Sequence, residues 1–130
     1  MVAKGYSQSA EIDYDEVFAP VARLERIRLL ISLFAQDGWR IYQMDVKLAF
    51  LNGFLKEKEY IEQPKGYIVK GHGDKVHKLK KALYGLKQAP RAWNHRIDIY
   101  FLDNRFIKCP HEYVFYVKLH ENEDVMFICR

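Results

Sequence analysis

Hydrophobic residues recur at helical spacing in the first third of the chain. Four apolar residues stand at positions i, i+3, i+4 and i+7, which is the spacing of one helix face: Ile27, Leu30, Ile31 and Phe34. The pattern predicts an amphipathic helix over residues 22–36. Gly38 is well placed to end it, because glycine readily adopts the left-handed conformation that follows many helices.

The pattern that follows has a period of two, which is typical of a strand. Residues 39–45 alternate between two faces that are both mostly apolar, and this predicts a central strand ending at Asp45. The dipeptide Asn52-Gly53 then predicts a turn. Two short strands are predicted over residues 60–63 and 75–79, joined by a glycine-containing loop.

The second half of the chain predicts a helix followed by a hairpin. Pro90 stands in the first turn of a helix over residues 89–104, where its missing N–H is tolerated. Strands over residues 113–119 and 125–129 flank a polar turn at 121–124. The order of helix, strand, hairpin, helix and hairpin predicts an α+β fold.

Composition indicates a globular chain that forms one domain, or most of one. The chain has 130 residues, of which 49% are hydrophobic and 29% charged, and this excludes a disordered chain. No apolar run approaches the roughly 20 residues of a membrane span, and the N-terminus has no secretory pattern. Cys109 and Cys129 give no disulfide framework, so we expect reduced thiols, an intracellular location and no membrane partner.

Positive charge is concentrated in one segment. Residues 70–108 hold ten Lys or Arg against three Asp, a net charge of +7 in a chain whose total is +4. A basic segment of this kind suits a polyanionic partner. A solvated lysine-rich surface is the alternative interpretation.

Asp45 is the residue whose position most directly suggests chemistry. A carboxylate at the end of a buried strand can hold a hard cation between itself and a substrate phosphate. The alternative is a structural Asp that caps the following turn.

Five segments resemble, in order, those of copia-type retrotransposon reverse transcriptases. Residues 43–53, Gln-Met-Asp-Val-Lys-Leu-Ala-Phe-Leu-Asn-Gly, are similar to the first catalytic motif of that family. Residues 81–93, Lys-Ala-Leu-Tyr-Gly-Leu-Lys-Gln-Ala-Pro-Arg-Ala-Trp, resemble its second hallmark. Residues 2–8, 18–23 and 60–67 match in the same order, so the resemblance extends over nearly the whole chain.

The resemblance implies roles for residues at the matching positions. Asp45 would be catalytic, as the first metal-binding carboxylate of a polymerase. Phe50 would lie beneath the sugar of the incoming nucleotide and exclude a 2′-hydroxyl, while Tyr84, Gly85 and Gln88 would complete the nucleotide-binding set. Taken singly, each has a structural alternative, such as a core aromatic or a turn glycine.

The reaction implied by the resemblance is nucleotidyl transfer. A primer 3′-hydroxyl attacks the α-phosphate of a deoxynucleotide, assisted by two Mg²⁺ ions about 3.5–4 Å apart. The implied partners are an RNA template, a DNA primer and deoxynucleotides. Six basic residues are predicted to contact the nucleic acid: Lys75, Lys78, Lys80, Lys81, Lys87 and Arg91.

The resemblance also implies a partial polymerase right hand, with fingers elements and the first half of a ferredoxin-like palm. We expect residues 1–130 to form a partial reverse transcriptase domain that stops before the family's Tyr-x-Asp-Asp turn. The expected further partner is then the C-terminal half of the polymerase, and this chain alone is expected to be inactive. Two alternatives are a non-catalytic nucleic-acid-binding module and an inert relic of a decayed element.

Overall fold

The computed structural model describes residues 2–119 and 125–129, which form a small mixed assembly of helices and sheets. Its helices are a 3₁₀ helix at Gly5–Ser7, α1 (Leu24–Gln36), a 3₁₀ helix at Ala49–Asn52 and α2 (Ala89–Asp103). Its strands are β1 (Tyr60–Glu62), β2 (Val76–Lys78), β3 (Ile107–Lys108), β4 (Phe115–Leu119) and β5 (Val125–Cys129). No helix in this part of the chain is long and apolar enough to cross a membrane.

The described residues form two separate antiparallel sheets. β1 pairs with β2, with Ile61 opposite His77. The other sheet has the order β3-β4-β5, with Val117 of its central strand opposite both Ile107 and Phe127.

The chain divides into two compact units. The first unit comprises Met1–Phe18 and Leu48–Arg96, and the second comprises Ala19–Lys47 and Ile97–Arg130.

The core of the first unit is built from small side chains. Ala82, Leu86 and Ala89 are buried, and partly buried apolar residues pack around them, including Ala3 and Phe50 from two other segments. Residues 53–55 run antiparallel to residues 80–82, because the Ala82 amide donates to the Gly53 carbonyl at 2.8 Å and the Leu55 amide donates to the Lys80 carbonyl at 3.2 Å. Small residues allow this backbone to approach α2 closely: a Cβ on Gly53 would lie 2.6 Å from the Trp93 nitrogen.

In the second unit, α1 ends in a Schellman motif. Gly38 has a φ of +70°, and the Gly38 and Trp39 amides donate to the carbonyls of Ala35 and Phe34. The rings of Phe34 and Trp39 stack with centroids 5.2 Å apart, which is the hydrophobic contact that accompanies this motif. Phe127 of β5 packs against both rings.

A second cluster of side chains in the second unit packs around Tyr116 of β4, which is fully buried. The ring of Phe101 from α2 lies 4.8 Å from the Tyr116 ring, centroid to centroid. The Tyr116 hydroxyl donates to the Asp98 carboxylate at 2.5 Å, and Lys108 forms an ion pair with the same group at 2.9 Å. These contacts hold α2 against the three-stranded sheet.

Most of the predicted elements are confirmed. Both helices, the β1–β2 pair and the strands of the last hairpin form where the patterns place them. The predicted turn at residues 121–124 lies outside the described residues.

The predicted central strand over residues 39–45 is wrong. These residues are exposed and irregular, and no described strand pairs with them. Alternating apolar residues show that a segment can form a strand, but a strand also needs a hydrogen-bonding neighbour. The short strand β3 was not predicted, because two residues carry too little pattern.

Candidate functional site

Phe50 and Tyr84 meet within the first unit. Phe50 lies in the 3₁₀ helix at Ala49–Asn52, which follows Leu48 in the left-handed conformation with a φ of 55°. The rings of Phe50 and Tyr84 have centroids 5.1 Å apart and are inclined at 54°. Both rings are half-buried, and Phe50 packs against the Ala82–Leu86–Ala89 core. The two predicted nucleotide-pocket aromatics therefore form one supported surface.

Gly85 lies where two segments of backbone touch. Its φ is +96°, and a Cβ there would lie 2.1 Å from the Ala3 carbonyl oxygen. The Ala3 amide donates to the Tyr84 carbonyl at 2.7 Å, which fastens the N-terminal segment to this loop. Glycine is therefore required for contact within the chain itself, whereas its predicted contact with a nucleotide stays a prediction.

Gln88 belongs to a buried polar cluster. It is 1% exposed, and its amide donates to the Glu59 carboxylate at 2.6 Å. The Gln8 side-chain amide donates to the same carboxylate oxygen at 2.7 Å and to the side-chain oxygen of Gln88 at 3.2 Å. The Lys87 backbone amide donates to Gln8 at 2.9 Å. Gln8, Glu59 and Gln88, hereafter the buried polar triad, thus join three distant parts of the sequence.

Sequence reasoning missed Gln8 and Glu59. A lone Gln in an N-terminal segment and a Glu among lysines are both expected to be exposed to solvent. Within this triad Gln88 has no surface to offer a ligand directly, so its position favours a role in holding the Tyr84–Lys87 loop.

The six residues predicted to contact nucleic acid all lie in the first unit, but they are not equally accessible to a phosphate. Five of them are exposed: Lys75, Lys78, Lys80, Lys81 and Lys87. Arg91 is half-buried and forms ion pairs with Glu16 at 3.2 Å and Glu57 at 3.5 Å. A phosphate would have to compete with these two carboxylates for the Arg91 guanidinium.

Asp45 lies in the exposed irregular segment of the second unit. Within residues 2–119 and 125–129, no group of three or more His, Cys, Asp or Glu side chains is arranged to hold a metal ion. Two adjacent Mg²⁺ ions need several carboxylates. The described residues therefore do not by themselves fit a two-metal site at Asp45.

The two cysteines are free, with Cys109 half-buried and Cys129 exposed at one edge of its sheet. Partial burial of its sulfur raises the pKa of the Cys129 thiol above its ordinary value. A raised pKa lowers the fraction of thiolate at neutral pH, and the thiolate is the form that acts as nucleophile or metal ligand.

Comparison with known proteins identifies relatives of this chain over nearly its whole length. Residues 1–129 match the family model described as reverse transcriptase (RNA-dependent DNA polymerase). The chain is 40% identical over 129 residues to the retrovirus-related Pol polyprotein from transposon TNT 1-94 of Nicotiana tabacum, an alignment that covers 98% of this chain and 10% of the relative. Pol polyproteins from transposons RE2 and RE1 of Arabidopsis thaliana are 44% and 46% identical over 107 residues, covering 82% of this chain and 7% of each relative.

The chain thus spans a tenth or less of the length of these relatives. No solved structure matches it. The family match over nearly every residue confirms the resemblance carried by the five ordered blocks. The chain belongs to the reverse transcriptase family of copia-type retrotransposons and corresponds to a segment of the reverse transcriptase domain of a Pol polyprotein.

Proposed function

We propose that this chain supplies the fingers elements and the first half of the palm of an RNA-directed DNA polymerase right hand. The partial domain at residues 1–130 would then act with the polymerase region that carries the Tyr-x-Asp-Asp turn. The observation that carries the proposal is the contact between Phe50 and Tyr84, two aromatics from different hallmark segments that share one supported surface.

Phe50 is proposed to select deoxynucleotides. A ring that is packed against a core on one side cannot retreat easily when a sugar approaches from the other. A 2′-hydroxyl on that sugar would then clash with the ring, whereas a 2′-hydrogen would not. The half-buried position of Phe50 beside Tyr84 supports this role.

Gly85 and Gln88 are proposed to act on the nucleotide pocket by positioning Tyr84. The Ala3–Tyr84 hydrogen bond and the buried polar triad brace the loop from both sides. Bracing of this kind holds a side chain in a productive orientation without contacting the ligand itself.

Asp45 is proposed to be one of several carboxylates that bind Mg²⁺ in the assembled polymerase. Mg²⁺ favours carboxylate and phosphate oxygens, and an exposed Asp can reach both a metal ion and a nucleotide. Because the described residues bring no metal-binding cluster together, the 130-residue chain alone is expected not to extend a primer. Extension that is lost in Asp45→Ala would contradict this expectation.

The exposed lysines of the first unit are proposed to contact the phosphates of template and primer. Contact with four to six phosphates would give a slope of about −3 to −5 for log K against log salt. Binding that ignores salt would contradict these contacts. The alternatives of a separate binding module and an inert relic are less favoured, because the polymerase family match runs through nearly the entire chain.

The direct test is a chimera in which this chain replaces the matching segment of the tobacco relative's reverse transcriptase region. We expect RNA-templated DNA synthesis by the chimera, and its loss in Asp45→Asn. Asp37→Asn is the matched control, because it removes the same charge from another exposed residue of the second unit. Equal activity in the Asp45 and Asp37 variants would refute the role assigned to Asp45.

A further inference from the structure

An exposed aromatic residue of the first unit has two cations beside its ring. Phe54 is 53% exposed, so one part of its ring is open to solvent. The Lys81 ammonium lies 5.5 Å from the ring centroid, and the Arg96 guanidinium carbon lies 5.7 Å from it. Phe54 and Arg96 were not among the residues singled out from sequence.

The backbone around Phe54 is well held. Phe54 forms an isolated antiparallel bridge with Lys81, flanked by the hydrogen bonds from Ala82 to Gly53 and from Leu55 to Lys80. Gly53 and Ala82, which lie opposite each other next to the bridge, are buried. Arg96 is contributed by α2. The ring is therefore exposed although its backbone is fixed, so its exposure is not that of a loose loop.

Phe54, Lys81 and Arg96 offer the two features that single-stranded nucleic acids bind: an aromatic face for a base and cations for the neighbouring phosphates. Cation–π contacts at exposed sites are weak, and both cations are on long flexible side chains. A base can therefore displace a cation from the ring face, and that cation remains close enough to pair with a phosphate.

We propose that Phe54 is a stacking platform for one base of a single-stranded template or primer overhang, with Lys81 and Arg96 binding the adjacent phosphates. This inference rests on the proposed function and adds to it a base-contacting residue. An apolar protein partner is disfavoured at this position, because covering Phe54 would also remove two charges from water without supplying their counter-charges.

The test is the affinity of the 130-residue chain for a fluorescently labelled oligothymidine of about a dozen nucleotides, a length within the range that such sites contact. Binding is measured by anisotropy over a series of salt concentrations. Phe54→Leu keeps an apolar side chain but removes the aromatic face, whereas Phe54→Trp keeps that face. Tyr67→Leu is the control, because it removes an aromatic residue of the same unit that is 79% exposed.

We expect Phe54→Leu to weaken binding by roughly 5- to 30-fold, with the slope against salt unchanged, because stacking involves no counterion release. Phe54→Trp is expected to retain the affinity, and Tyr67→Leu to leave it unaltered. The double variant Lys81→Gln with Arg96→Gln is expected to reduce the slope by about 1 to 2. The control of equal charge loss, Lys65→Gln with Lys70→Gln, is expected to reduce it less.

Two results would overturn the proposal. One is Phe54→Leu binding as tightly as the unchanged chain, or no more weakly than Tyr67→Leu. The other is failure of the unchanged chain to bind the oligonucleotide at low salt. Neither result depends on the polymerase assay with Asp45→Asn, so loss of the stacking platform and loss of the proposed function can be told apart.

Discussion

Residues 79–93 contain the whole of one hallmark segment and residues 39–47 contain the first part of another, and the two stretches differ greatly in burial. In the first unit, Ala82, Leu86, Gln88 and Ala89 are all buried. In the second unit, every residue from 39 to 47 is exposed and lies outside helices and strands. The first unit thus buries and fixes the segment proposed to shape the nucleotide pocket. The second unit leaves the segment that carries Asp45 exposed.

The difference reflects what each segment needs from its neighbours. The first is held by local backbone contacts, such as those of Gly85 with Ala3, and by the buried polar triad. The second has a strand pattern but no described strand beside it. A loop can satisfy its hydrogen bonds within a small unit, but a central strand requires a hydrogen-bonding neighbour on each edge.

The largest expected effect comes from Gly85→Ala. The new Cβ would lie 2.1 Å from the Ala3 carbonyl oxygen, at a φ of +96° that alanine avoids. We expect the free energy of unfolding of the first unit to fall by about 3 kcal/mol or more, from backbone strain and steric overlap together. Urea unfolding followed by Trp93 fluorescence in a Trp39→Phe background measures it.

Gly71→Ala is the matched control for that variant. Gly71 has a φ of +79°, but nothing lies within 4 Å of a Cβ placed there. Its substitution should cost only the backbone strain of about 1–2 kcal/mol. Equal losses at the two positions would show that the contact with Ala3 does not hold the loop.

A somewhat smaller effect is expected from Gln88→Leu. The variant keeps the volume of the side chain but removes its hydrogen bonds with the buried Glu59 and the half-buried Gln8. We expect a loss of about 2 kcal/mol in the same urea experiment, because buried polar groups would lose partners.

Gln63→Leu provides the comparison for Gln88. The Gln63 side chain makes three hydrogen bonds, with the backbone of His72, Lys75 and Val69, but all three are exposed to water. Water can replace these bonds, so a loss of below about 1 kcal/mol is expected. If Gln63→Leu were the more damaging variant, the buried polar triad would not be an important support of the Tyr84–Lys87 loop.

Gly38→Ala tests the C-terminal end of α1 in the second unit. Gly38 has a φ of +70° with free space around it, so only backbone strain opposes a side chain. We expect a loss of about 1 kcal/mol, followed by Trp39 fluorescence in a Trp93→Phe background. Gly73→Ala, which has no positive φ and only an ordinary contact at 3.7 Å, should cost less.

The smallest effect is expected from Asp45→Asn. The side chain is exposed, and no described residue forms a hydrogen bond or ion pair with it. Surface substitutions of this kind change stability by less than about 0.5 kcal/mol. A larger loss, measured by urea unfolding, would show that Asp45 is a structural residue in this chain.

These contrasts also show which parts of the fold and of the candidate site can be predicted from the sequence. Helical spacing predicts α1 and α2 to within two residues of each end, because that pattern depends only on the segment itself. The pairing of residues 39–45 could not be predicted, because a strand pattern does not identify a partner. The ordered motifs identify the family and make Phe50 a candidate site residue, but the contacts of Glu59 and Phe54 join residues that are far apart in the sequence.

Native-state hydrogen exchange compares the two hallmark segments most directly. The Ala82 and Ala92 amides donate to the carbonyls of Gly53 and Gln88, whereas no backbone amide of residues 40–47 donates to another described residue. We predict that exchange at Ala82 and Ala92 is slower than in residues 40–47 by about 100-fold or more, relative to the rates of an unfolded chain. Similar protection in the two segments would contradict the account.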